Sequence, residues 1–397
     1  MSTKSHLNRL HLWIPNLFEF KGGIQVFSEF LLQGLQSAYP NIKYDIFVKH
    51  DTQLPGNYQY TSQTQFHFFG KWGHKLRTIA FAFGLIIHGF LQRPDLIVTS
   101  HLNFTVAAYW LKKITGIPYW TVAHGIEAWD IKQPSLQKAL HDANKILAVS
   151  SYTRDRLIKE QNLDPSKLVI LPNTFDTNRF QVSLKPKYLL ERYGLRAEQP
   201  VILTVARLDE NEIYKGYDQV LRAIPYIRNT IPDIHYIIAG KGKDRVRVEE
   251  LITQLKLEDY VTLAGFVPDE ELGDYYNLCN VFAMPSKKEG FGIVYLEALA
   301  SGKPVLAGNQ DGAVDAVCNG ELGVLVNPDD IESIADSLVQ ILKGTYPNPL
   351  FYQPLALRQK VIDKFSVEAF QKTLATYLTQ DFQEDFQDIQ IQNTKGG

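Results

Sequence analysis

Two glutamates in the C-terminal half of the chain lie eight residues apart, on either side of a glycine-containing turn. The segment MPSKKEGFGIVYLEALASGKPVLAG (284–308) predicts a buried strand ending at Met284, a loop with Glu289, and a helix from about 292 to 300 that contains Glu297. A helix start offers unpaired amides and the positive end of its dipole to an anion. The carboxylates could therefore hold a sugar and a ribose that flank a diphosphate. Two surface glutamates remain the alternative interpretation.

Two cations in the same half have the chemistry to neutralise a diphosphate. Arg207 follows the predicted strand at 201–206, and Lys215 precedes Gly216 at the start of the next helix. The arginine fork can bind two phosphate oxygens at once, whereas the lysine acts as a point charge. Taken alone, each residue is more often a solvated surface cation.

The N-terminal half contributes a glycine pair and a histidine. In FKGGIQVF, Gly22 and Gly23 open an amphipathic helix, and glycine there allows the backbone to approach a phosphate closely. Such a pair also occurs in ordinary turns. His124, in AHGIE, follows the predicted strand YWTVA, at the kind of strand end where open α/β sheets bind ligands. A structural histidine is the alternative for this position.

Short β-rich runs alternate with amphipathic helical segments along most of the chain. This alternation predicts an α/β protein with parallel sheets that are covered by helices on both faces. The series is interrupted once, so we expect two doubly wound, Rossmann-like domains facing a central cleft. The predicted strands are 10–14, 44–49, 66–70, 95–100, 119–123 and 146–150 in the first series, and 201–206, 235–240, 260–265, 281–285, 304–308 and 323–326 in the second.

Composition shifts suggest where the domains begin and end. The polar stretch at 181–200 contains two prolines and precedes a new strand, which is typical of a linker, so we predict a linker at 181–198. We therefore predict an N-terminal, acceptor-side domain at 1–180 and a C-terminal, donor domain at 199–364. A helix at 365–380 could pack back on the N-terminal domain. The segment 381–397, rich in Asp, Glu and Gln, is predicted to be a disordered tail.

The composition excludes several classes of protein. The 397 residues are 45% hydrophobic and 21% charged, as in ordinary globular proteins, and the net charge of −2 gives no general attraction for nucleic acid. Cys279 and Cys318 cannot build a disulfide framework or a zinc site. The N-terminus reads as a first strand rather than a signal peptide. We expect a cytoplasmic protein.

One segment of the N-terminal half is a candidate for contact with a membrane. The uncharged stretch at 78–92 has 15 residues, fewer than the ~18 to 20 needed to span a bilayer. However, Lys71, Lys75 and Arg77 lie beside Trp72 and the apolar run 79–91. Residues 71–91 could therefore form a peripheral surface for lipid, at the inner face of a membrane, or for a lipid-linked acceptor. A buried helix that packs on its own sheet is the alternative.

A set of motifs in the same order resembles the retaining glycosyltransferases of family four, which have the GT-B fold. The motifs are GGIQVF, HGIE, PNTFD, ARL followed by KG, AGKGKD, AGFVPDEEL and EGFGIVYLEALASGKPV, and they extend from Gly22 to about Pro328. The resemblance implies transfer of a sugar from a nucleotide-diphosphate sugar to a hydroxyl of a saccharide or lipid-linked acceptor, with retention of the anomeric configuration. It also implies a role in the synthesis of cell-surface polysaccharide or glycolipid.

The resemblance assigns roles to individual positions. Glu289 would hold hydroxyls of the donor sugar, Glu297 would hold the ribose, and Arg207 and Lys215 would clamp the diphosphate. The other implied donor contacts are Gly22 and Gly23 at the phosphate, His124 near the sugar, the backbone amides of Phe291, Gly292 and Ile293, and Gly240, Lys241, Phe266 and Val267 at the base and ribose. Two positions depart from the family pattern: Ala206 replaces a commoner glycine and Asp315 a usual glutamate.

The mechanism implied by the resemblance needs neither a protein nucleophile nor a metal. The leaving phosphate takes the proton of the acceptor on the same face of the sugar, and the nucleotide sugar is a co-substrate rather than a cofactor. The sequence has no Asp-x-Asp pair or clustered carboxylates for Mg²⁺, which agrees with a metal-free site.

Three other classes of function compete with this interpretation. A dehydrogenase is disfavoured because Gly240-x-Gly242 is followed by Arg245 where the third glycine belongs. A nucleotide-sugar epimerase or a sugar phosphorylase of similar shape stays open. So does a non-catalytic protein that binds nucleotide sugars.

Overall fold

The computed structural model describes residues 7–19, 22–56 and 61–382. The chain forms two compact units. Unit 1 comprises the described residues of Met1–Ala148, Arg156–Leu171 and Glu368–Gly397, and unit 2 comprises Val149–Asp155 and Pro172–Val367. Each unit is built on a parallel sheet, as the alternating pattern predicts.

The strands are short and mostly buried, because helices cover both faces of each sheet. Their bounds are β1 (Arg9–Ile14), β2 (Lys43–Val48), β3 (Thr64–Phe68), β4 (Leu96–Thr99), β5 (Tyr119–Ala123), β6 (Lys145–Ala148), β7 (Leu168–Ile170), β8 (Val201–Val205), β9 (His235–Ala239), β10 (Val261–Gly265), β11 (Val281–Met284), β12 (Val305–Gly308) and β13 (Val324–Val326).

Helices of the described residues connect and cover these strands. Their bounds are α1 (Gly23–Ala38), α2 (His74–Gln92), α3 (Thr105–Thr115), α4 (Pro134–Asp142), α5 (Ser151–Gln161), α6 (Lys187–Tyr193), α7 (Tyr217–Arg228), α8 (Arg245–Gln254), α9 (Leu272–Leu278), α10 (Ile293–Ala300), α11 (Ala313–Ala316), α12 (Ile331–Leu342), α13 (Pro354–Phe365) and α14 (Val367–Asp381).

In the described part of unit 1 the sheet has the order β3-β2-β1-β4-β5-β6-β7, with every pair parallel. The order reverses between β1 and β4, which makes this edge a topological switch point. Leu12, Trp13 and Ile14 of β1 are completely buried. The loops that follow β1, β4 and β5 therefore leave the sheet at one edge, and they contain Gly22, Ser100 and His124.

In the described part of unit 2 the sheet has the order β10-β9-β8-β11-β12-β13, again parallel throughout. Its switch point lies between β8 and β11. The core below it joins β8, β9 and α7 through side chains such as Ile202, Tyr217 and Ile238. Because β8 and β11 are neighbours, the loops that carry Arg207 and Glu289 leave the sheet side by side.

The helix predicted at 365–380 is present as α14 and belongs to unit 1. The ring of Phe370 meets the ring of Phe27 edge-on, with 5.6 Å between centroids. At the other end of α14, Nζ of Lys145 lies 2.8 Å from Oδ1 of Asp381. The hydroxyl of Tyr377 donates to the carbonyl oxygen of Ile170 at 2.7 Å. Segments that are far apart in the sequence thus pack together in unit 1.

The predicted linker at 181–198 is a packed part of unit 2. It contains α6, whose Leu189 is fully buried, and Arg192 of α6 forms an ion pair with Glu271 at 2.8 Å. The polar residues of α6 lie on its outer face. Pro186 precedes the first turn of the helix, a position that proline tolerates. The chain passes between the units near 148–149, 155–156, 171–172 and 367–368 instead. The predicted tail lies outside the described residues from 383 onward.

Candidate active site

Lys215 and Glu289 form the centre of the candidate site in unit 2. Lys215 ends a 3₁₀ segment (Glu210–Lys215) after β8, and Glu289 lies in the loop after β11. Nζ of Lys215 is 2.9 Å from Oε2 of Glu289. The two loops touch closely, because a Cβ at Gly216 would collide with the carbonyl of Pro285. Gly216 has φ 85°, a conformation that also favours glycine.

The lysine of this pair stays charged although it is mostly buried. Burial lowers the pKa of Lys215, but the attraction of Glu289 raises it, and the net result is a pKa above the ordinary value. The ammonium group has three donors and can hold Glu289 and a second acceptor at the same time. The site therefore offers a fixed positive charge beside a carboxylate.

Arg207 joins the same cluster through Glu212, a residue that the sequence analysis missed. The guanidinium group of Arg207 forms an ion pair with Oε1 of Glu212, and Oε2 of Glu212 lies 3.9 Å from Nζ of Lys215. Glu212 is nearly buried, whereas the side chain of Arg207 is 68% exposed. The two predicted cations are thus brought together by a shared carboxylate. The only signal in the sequence was the spacing of Glu212, three residues before Lys215.

Asp311 fixes the backbone of the loop that carries Glu289, and the sequence analysis did not identify this residue. The backbone N–H of Glu289 and the hydroxyl of Ser286 both donate to its Oδ2 at 2.7 Å, and the N–H of Ala313 donates to its Oδ1 at 3.0 Å. Asp311 is fully buried, and burial raises its pKa to about 6. The loop that presents Glu289 is therefore fixed through its backbone.

The start of α10 has the features expected of an anion site. Gly292 precedes the helix with φ 90°, and a Cβ there would collide with the ring of Tyr295. No side chain of the described residues caps this helix, and of its first-turn amides that of Tyr295 donates to the carbonyl oxygen of Gly292 at 3.2 Å. Ile293 is the first helical residue. Phe291 is buried, and its ring meets Phe365 edge-on at 5.6 Å between centroids.

Glu297 lies in the second turn of α10 and already has a partner. The hydroxyl of Tyr276, in α9, donates to Oε2 of Glu297 at 2.7 Å. Burial raises the pKa of Glu297, while the bond from Tyr276 works against that rise. Tyr276 therefore orients this carboxylate. Tyr276 lies in a neighbouring helix that the sequence analysis did not connect with the site.

The residues predicted to hold the base and ribose lie at the ends of β9 and β10. Gly240 has φ 151°, and a Cβ there would collide with the carbonyl oxygen of Ala206, so the turn packs directly on the end of β8. The ammonium nitrogen of Lys241 lies 4.6 Å above the centre of the exposed ring of Phe266. Val267 follows this ring in the same loop. An exposed aromatic face of this kind can stack with a flat ligand.

His124 of unit 1 is a partly buried, neutral histidine. Its Nε2 donates to the carbonyl oxygen of Ser100 at 2.8 Å, and the ring of Phe27 meets it edge-on at 5.0 Å between centroids. Burial lowers the pKa of His124 to about 4. Since Nε2 carries the proton in this bond, Nδ1 is the acceptor nitrogen of the neutral ring.

Glu127 supports the turn that carries His124. One oxygen of Glu127 accepts the backbone N–H of His124 at 2.5 Å. Burial raises the pKa of Glu127, and burial lowers the pKa of the neighbouring His101. Glu127 is the last residue of the HGIE motif, and that spacing was the signal by which its role could have been found.

Two further positions were singled out from the sequence. Gly22 precedes α1 in an extended conformation that any residue adopts, and α1 begins at Gly23. Asp315, where the resembled family usually has glutamate, accepts the N–H of Ser151 at 3.0 Å and its hydroxyl at 2.9 Å. Asp315 therefore caps the start of α5, a structural role.

The described residues contain no group of three or more His, Cys, Asp or Glu side chains arranged to hold a metal ion. Within the same part of the chain, no helix is both long and apolar enough to cross a membrane.

Both halves of the chain match families of known proteins. Residues 189–351 match the family described as Glycosyl transferases group 1, and residues 21–179 match Glycosyltransferase Family 4. The first match lies in unit 2 and contains Lys215 and Glu289, and the second lies mostly in unit 1 and contains His124.

Individual relatives are similar over part of their length. The GDP-mannose-dependent alpha-(1-6)-phosphatidylinositol monomannoside mannosyltransferase of Mycolicibacterium smegmatis is 34% identical over 232 residues, which are 55% of this chain and 59% of that protein. The mannosylfructose-phosphate synthase of Agrobacterium fabrum is 25% identical over 290 residues, 64% of this chain and 63% of that protein. The chain thus matches about three fifths of the length of these relatives.

Solved structures resemble nearly the whole chain. The structure of Anabaena HepE in complex with UDP has a TM-score of 0.74 at 19% identity, and the match covers 94% of this chain and 100% of that one. Sucrose-phosphate synthase from Thermosynechococcus elongatus has a TM-score of 0.73 at 19% identity, with 94% and 98% covered. These likenesses confirm the predicted GT-B fold, with a Rossmann-like sheet in each unit.

Proposed function

Because the chain belongs to the group 1 glycosyltransferases of family four, we propose that it transfers a sugar from a nucleotide-diphosphate sugar to a hydroxyl acceptor with retention of the anomeric configuration. The acceptor is a saccharide or a lipid-linked molecule, in the synthesis of cell-surface polysaccharide or glycolipid. The reaction takes place in the cytoplasm or at the inner face of the membrane. The mycolicibacterial relative, by its name, uses GDP-mannose and acts on a phosphatidylinositol mannoside.

The observation that carries the proposal is the 2.9 Å pair of Lys215 and Glu289 at the switch point of unit 2. Next to it in the chain, α10 begins at a glycine without a side-chain cap. A cation, a carboxylate and free amides on adjoining segments suit a ligand that has hydroxyls next to a diphosphate. A nucleotide sugar is such a ligand.

Lys215 and the amides of Phe291, Gly292 and Ile293 act on the charge that develops on the diphosphate as the bond to the sugar breaks. Fixed donors in a partly dry site stabilise such charge by several kcal/mol. Arg207 is exposed at the edge of the cluster, so its fork can pass from Glu212 to phosphate. Glu289 accepts hydrogen bonds from sugar hydroxyls, and Glu297 from the ribose.

The proton of the acceptor passes to the leaving phosphate on the same face of the sugar. This route requires no nucleophile from the protein. His124 is not suited to take the proton at Nε2, because that nitrogen already donates to Ser100. By resemblance to the family, His124 and Gly23 contact the donor sugar and its phosphate.

No metal and no resident cofactor takes part in the proposed reaction. Lys215 and Arg207 supply the positive charge that a divalent cation supplies at many other diphosphate sites.

Nucleotide binding is the first test. UDP, GDP and ADP are compared by thermal shift of the full chain, since a ligand at about 100 times its Kd stabilises the folded protein by ~2.7 kcal/mol. The preferred nucleotide then selects the donor, with UDP-glucose and GDP-mannose as the starting pair. Release of nucleoside diphosphate in the presence of candidate acceptors measures transfer.

The stereochemistry and the products separate the alternatives. Proton NMR of the first product reports the anomeric configuration, and inversion would overturn the retaining mechanism. A requirement for free phosphate would indicate a phosphorylase. Conversion of one donor into another without an acceptor would indicate an epimerase. Tight nucleotide binding with no turnover of any donor would indicate a non-catalytic binding protein.

A further inference from the structure

Helix α2 of unit 1 has apolar side chains on two opposite faces. Its inner face contains Phe81, Leu85 and Gly89, which are buried. The ring of Phe81 meets Phe69 edge-on at 5.2 Å between centroids. A side chain at Gly89 would overlap Leu111 of α3, so the glycine lets the two helices approach closely. The inner face is therefore sufficient to hold α2 in unit 1.

The outer face of α2 is a stripe of large, exposed apolar side chains. Since each residue turns the helix by about 100°, these side chains fall within roughly a third of the circumference of α2 and extend over about 22 Å of its length. Trp72, one turn before them, is also exposed. The stripe consists of Leu76, Ile79, Phe83, Ile87, Phe90 and Leu91, each between 49% and 73% exposed.

Helix α3 extends the stripe sideways. Trp110 and Ile114 of α3 are 56% and 65% exposed. Lys112 of α3 donates to the carbonyl oxygen of Asp142 in α4 at 2.5 Å, which fixes the side of α3 that faces α4. By helical geometry Trp110 and Ile114 lie on the opposite side, toward α2. We call the exposed apolar residues of the two helices the α2–α3 surface.

The charged side chains of the two helices that form the α2–α3 surface are all positive. Neither α2 nor α3 contains an aspartate or a glutamate. Lys71 and Lys75 are exposed near the start of α2, and Arg93 is exposed at its end, with its guanidinium group 5.2 Å from the centre of the Phe90 ring. Lys75 and Arg93 project on the same flank of the stripe, since they are 18 residues, or five helical turns, apart. An apolar stripe with cations at its edge is complementary to an anionic lipid surface.

We propose that the α2–α3 surface binds peripherally to a bilayer that contains anionic lipid, with α2 in the plane of the interface. Contiguous apolar areas of this kind are rare on soluble monomers that do not use them. A second copy of the chain fits less well, because the cations of two such surfaces would repel each other. The inference deepens the proposed function by naming the surface that meets a lipid-linked acceptor, and only that purpose rests on the proposed function.

Vesicle co-sedimentation of the full chain at low salt tests the proposal. The vesicles are phosphatidylcholine with or without phosphatidylglycerol. We expect binding to the mixed vesicles and much weaker binding to phosphatidylcholine alone. The double variant Phe83→Gln/Ile87→Gln and the double variant Lys75→Glu/Arg93→Glu should each lower the apparent affinity about tenfold or more. Added salt should weaken wild-type binding.

Matched controls separate this surface from general stickiness. Leu184 and Leu355 of unit 2 are 89% and 72% exposed, and Leu184→Gln/Leu355→Gln should bind vesicles like the wild type. Circular dichroism and nucleotide thermal shift are recorded for every variant. A wild-type protein that binds nucleotide but not vesicles would overturn the membrane proposal alone. A wild-type protein that binds vesicles but no nucleotide would contradict the proposed function alone.

Three outcomes overturn the proposal. The first is a wild-type protein that does not bind mixed vesicles at low salt. The second is equal binding by the wild type and both double variants, or equal binding to vesicles with and without phosphatidylglycerol. The third is a concentration-dependent dimer in sedimentation velocity that Phe83→Gln/Ile87→Gln dissociates, since this result would assign the surface to a second copy of the chain.

Discussion

Nζ of Lys215 and Oε2 of Glu289 lie 2.9 Å apart although 74 residues separate them in the chain. The contact exists because β8 and β11 are neighbours in the sheet of unit 2, so the loops after these strands leave it together. The attraction of Glu289 raises the pKa of Lys215, so the ammonium group stays charged and is held in place before any ligand binds.

Replacing Lys215 should affect the diphosphate far more than the nucleoside. In Lys215→Ala we expect the affinity for the preferred nucleoside diphosphate to fall about 10- to 100-fold, since a charge-assisted bond in a mostly buried site is lost. The affinity for the nucleoside should stay within a factor of two or three, because base and ribose contacts lie elsewhere. Isothermal titration calorimetry of both ligands measures the difference.

Lys288 offers a matched control for this change. It lies in the same loop as Glu289 but is exposed. Lys288→Ala should leave both affinities unchanged. Equal losses in the two lysine variants would indicate a general effect of net charge and would count against a specific role for Lys215.

The two glutamates should fail in different ways. Glu297 is assigned to ribose hydroxyls that do not change in the reaction, so Glu297→Ala should mainly raise the KM for the donor. Glu289 is assigned to the sugar that becomes oxocarbenium-like, so Glu289→Ala should lower kcat, by about 10² to 10³-fold. Steady-state kinetics with varied donor separates the two effects, after circular dichroism has shown that both variants fold.

Tyr276 provides a sharper version of the Glu297 test. Its hydroxyl donates to Glu297 at 2.7 Å, and Tyr276→Phe removes that bond while keeping the ring. We expect a smaller rise in the donor KM than in Glu297→Ala, with kcat nearly unchanged. A drop in kcat without a change in KM for either variant would contradict the assignment of Glu297 to the ribose.

Transfer should survive removal of divalent cations. Since Lys215 and Arg207 are proposed to balance the diphosphate charge, activity in the presence of EDTA should equal activity in its absence. The measurement is the initial rate of nucleoside diphosphate release after treatment of protein and buffers with chelator. Loss of activity that Mg²⁺ or Mn²⁺ restores would refute the metal-free mechanism.

The local parts of the site could be predicted from the sequence, and the parts contributed by distant loops could not. Glu289, Gly292 and Glu297 lie in one continuous segment that passes from a strand through a turn into a helix. Their spacing in the sequence therefore predicts where each of them lies in this segment. Asp311 supports Glu289 from the loop after β12, and Tyr276 reaches Glu297 from α9. Neither contact has a signal in the spacing of residues, because the packing of the sheet and helices creates it.

Surface composition was the least informative signal about the fold. Residues 181–198 are as polar as a linker, yet they contain α6, which packs on unit 2 through Leu189. For α2 the sequence offered a buried helix and a lipid surface as alternatives. The structure shows that Phe81 and Leu85 are buried while Phe83 and Ile87 are exposed, so the helix has a buried apolar face and an exposed apolar face.

Unit 1 should lose stability in mild acid because of buried histidines. Burial lowers the pKa of His11 and of His124 to about 4, from an ordinary value of 6.5. Between these values the unfolded chain binds protons that the folded chain does not, so stability is complete above pH 6.5 and falls as the pH drops toward 4. At ~1.4 kcal/mol per unit of pKa, each histidine can contribute up to about 3 kcal/mol to this loss.

Urea denaturation of His11→Leu at pH 7 and pH 5 tests this explanation. His11 is completely buried in β1, so leucine should remove its share of the acid sensitivity and bring the two free energies of unfolding closer together than in the wild type. His74→Leu is the control, since His74 is exposed at the start of α2. An unchanged difference between the two pH values in His11→Leu would show that other groups cause the acid sensitivity.

Glu127 should influence transfer through His124 rather than by direct contact with substrate. Its carboxylate accepts the backbone N–H of His124 at 2.5 Å, and Glu127→Gln exchanges one acceptor oxygen for a donor NH₂ group. We expect kcat to fall about tenfold while nucleotide affinity, measured by calorimetry, stays unchanged, because Lys215, Arg207 and the start of α10, the charged groups and amides assigned to the diphosphate, lie in unit 2. The decisive measurement is a double-mutant cycle with His124→Ala. If Glu127 only positions His124, the double variant should be no slower than His124→Ala, whereas independent roles predict that the two losses multiply.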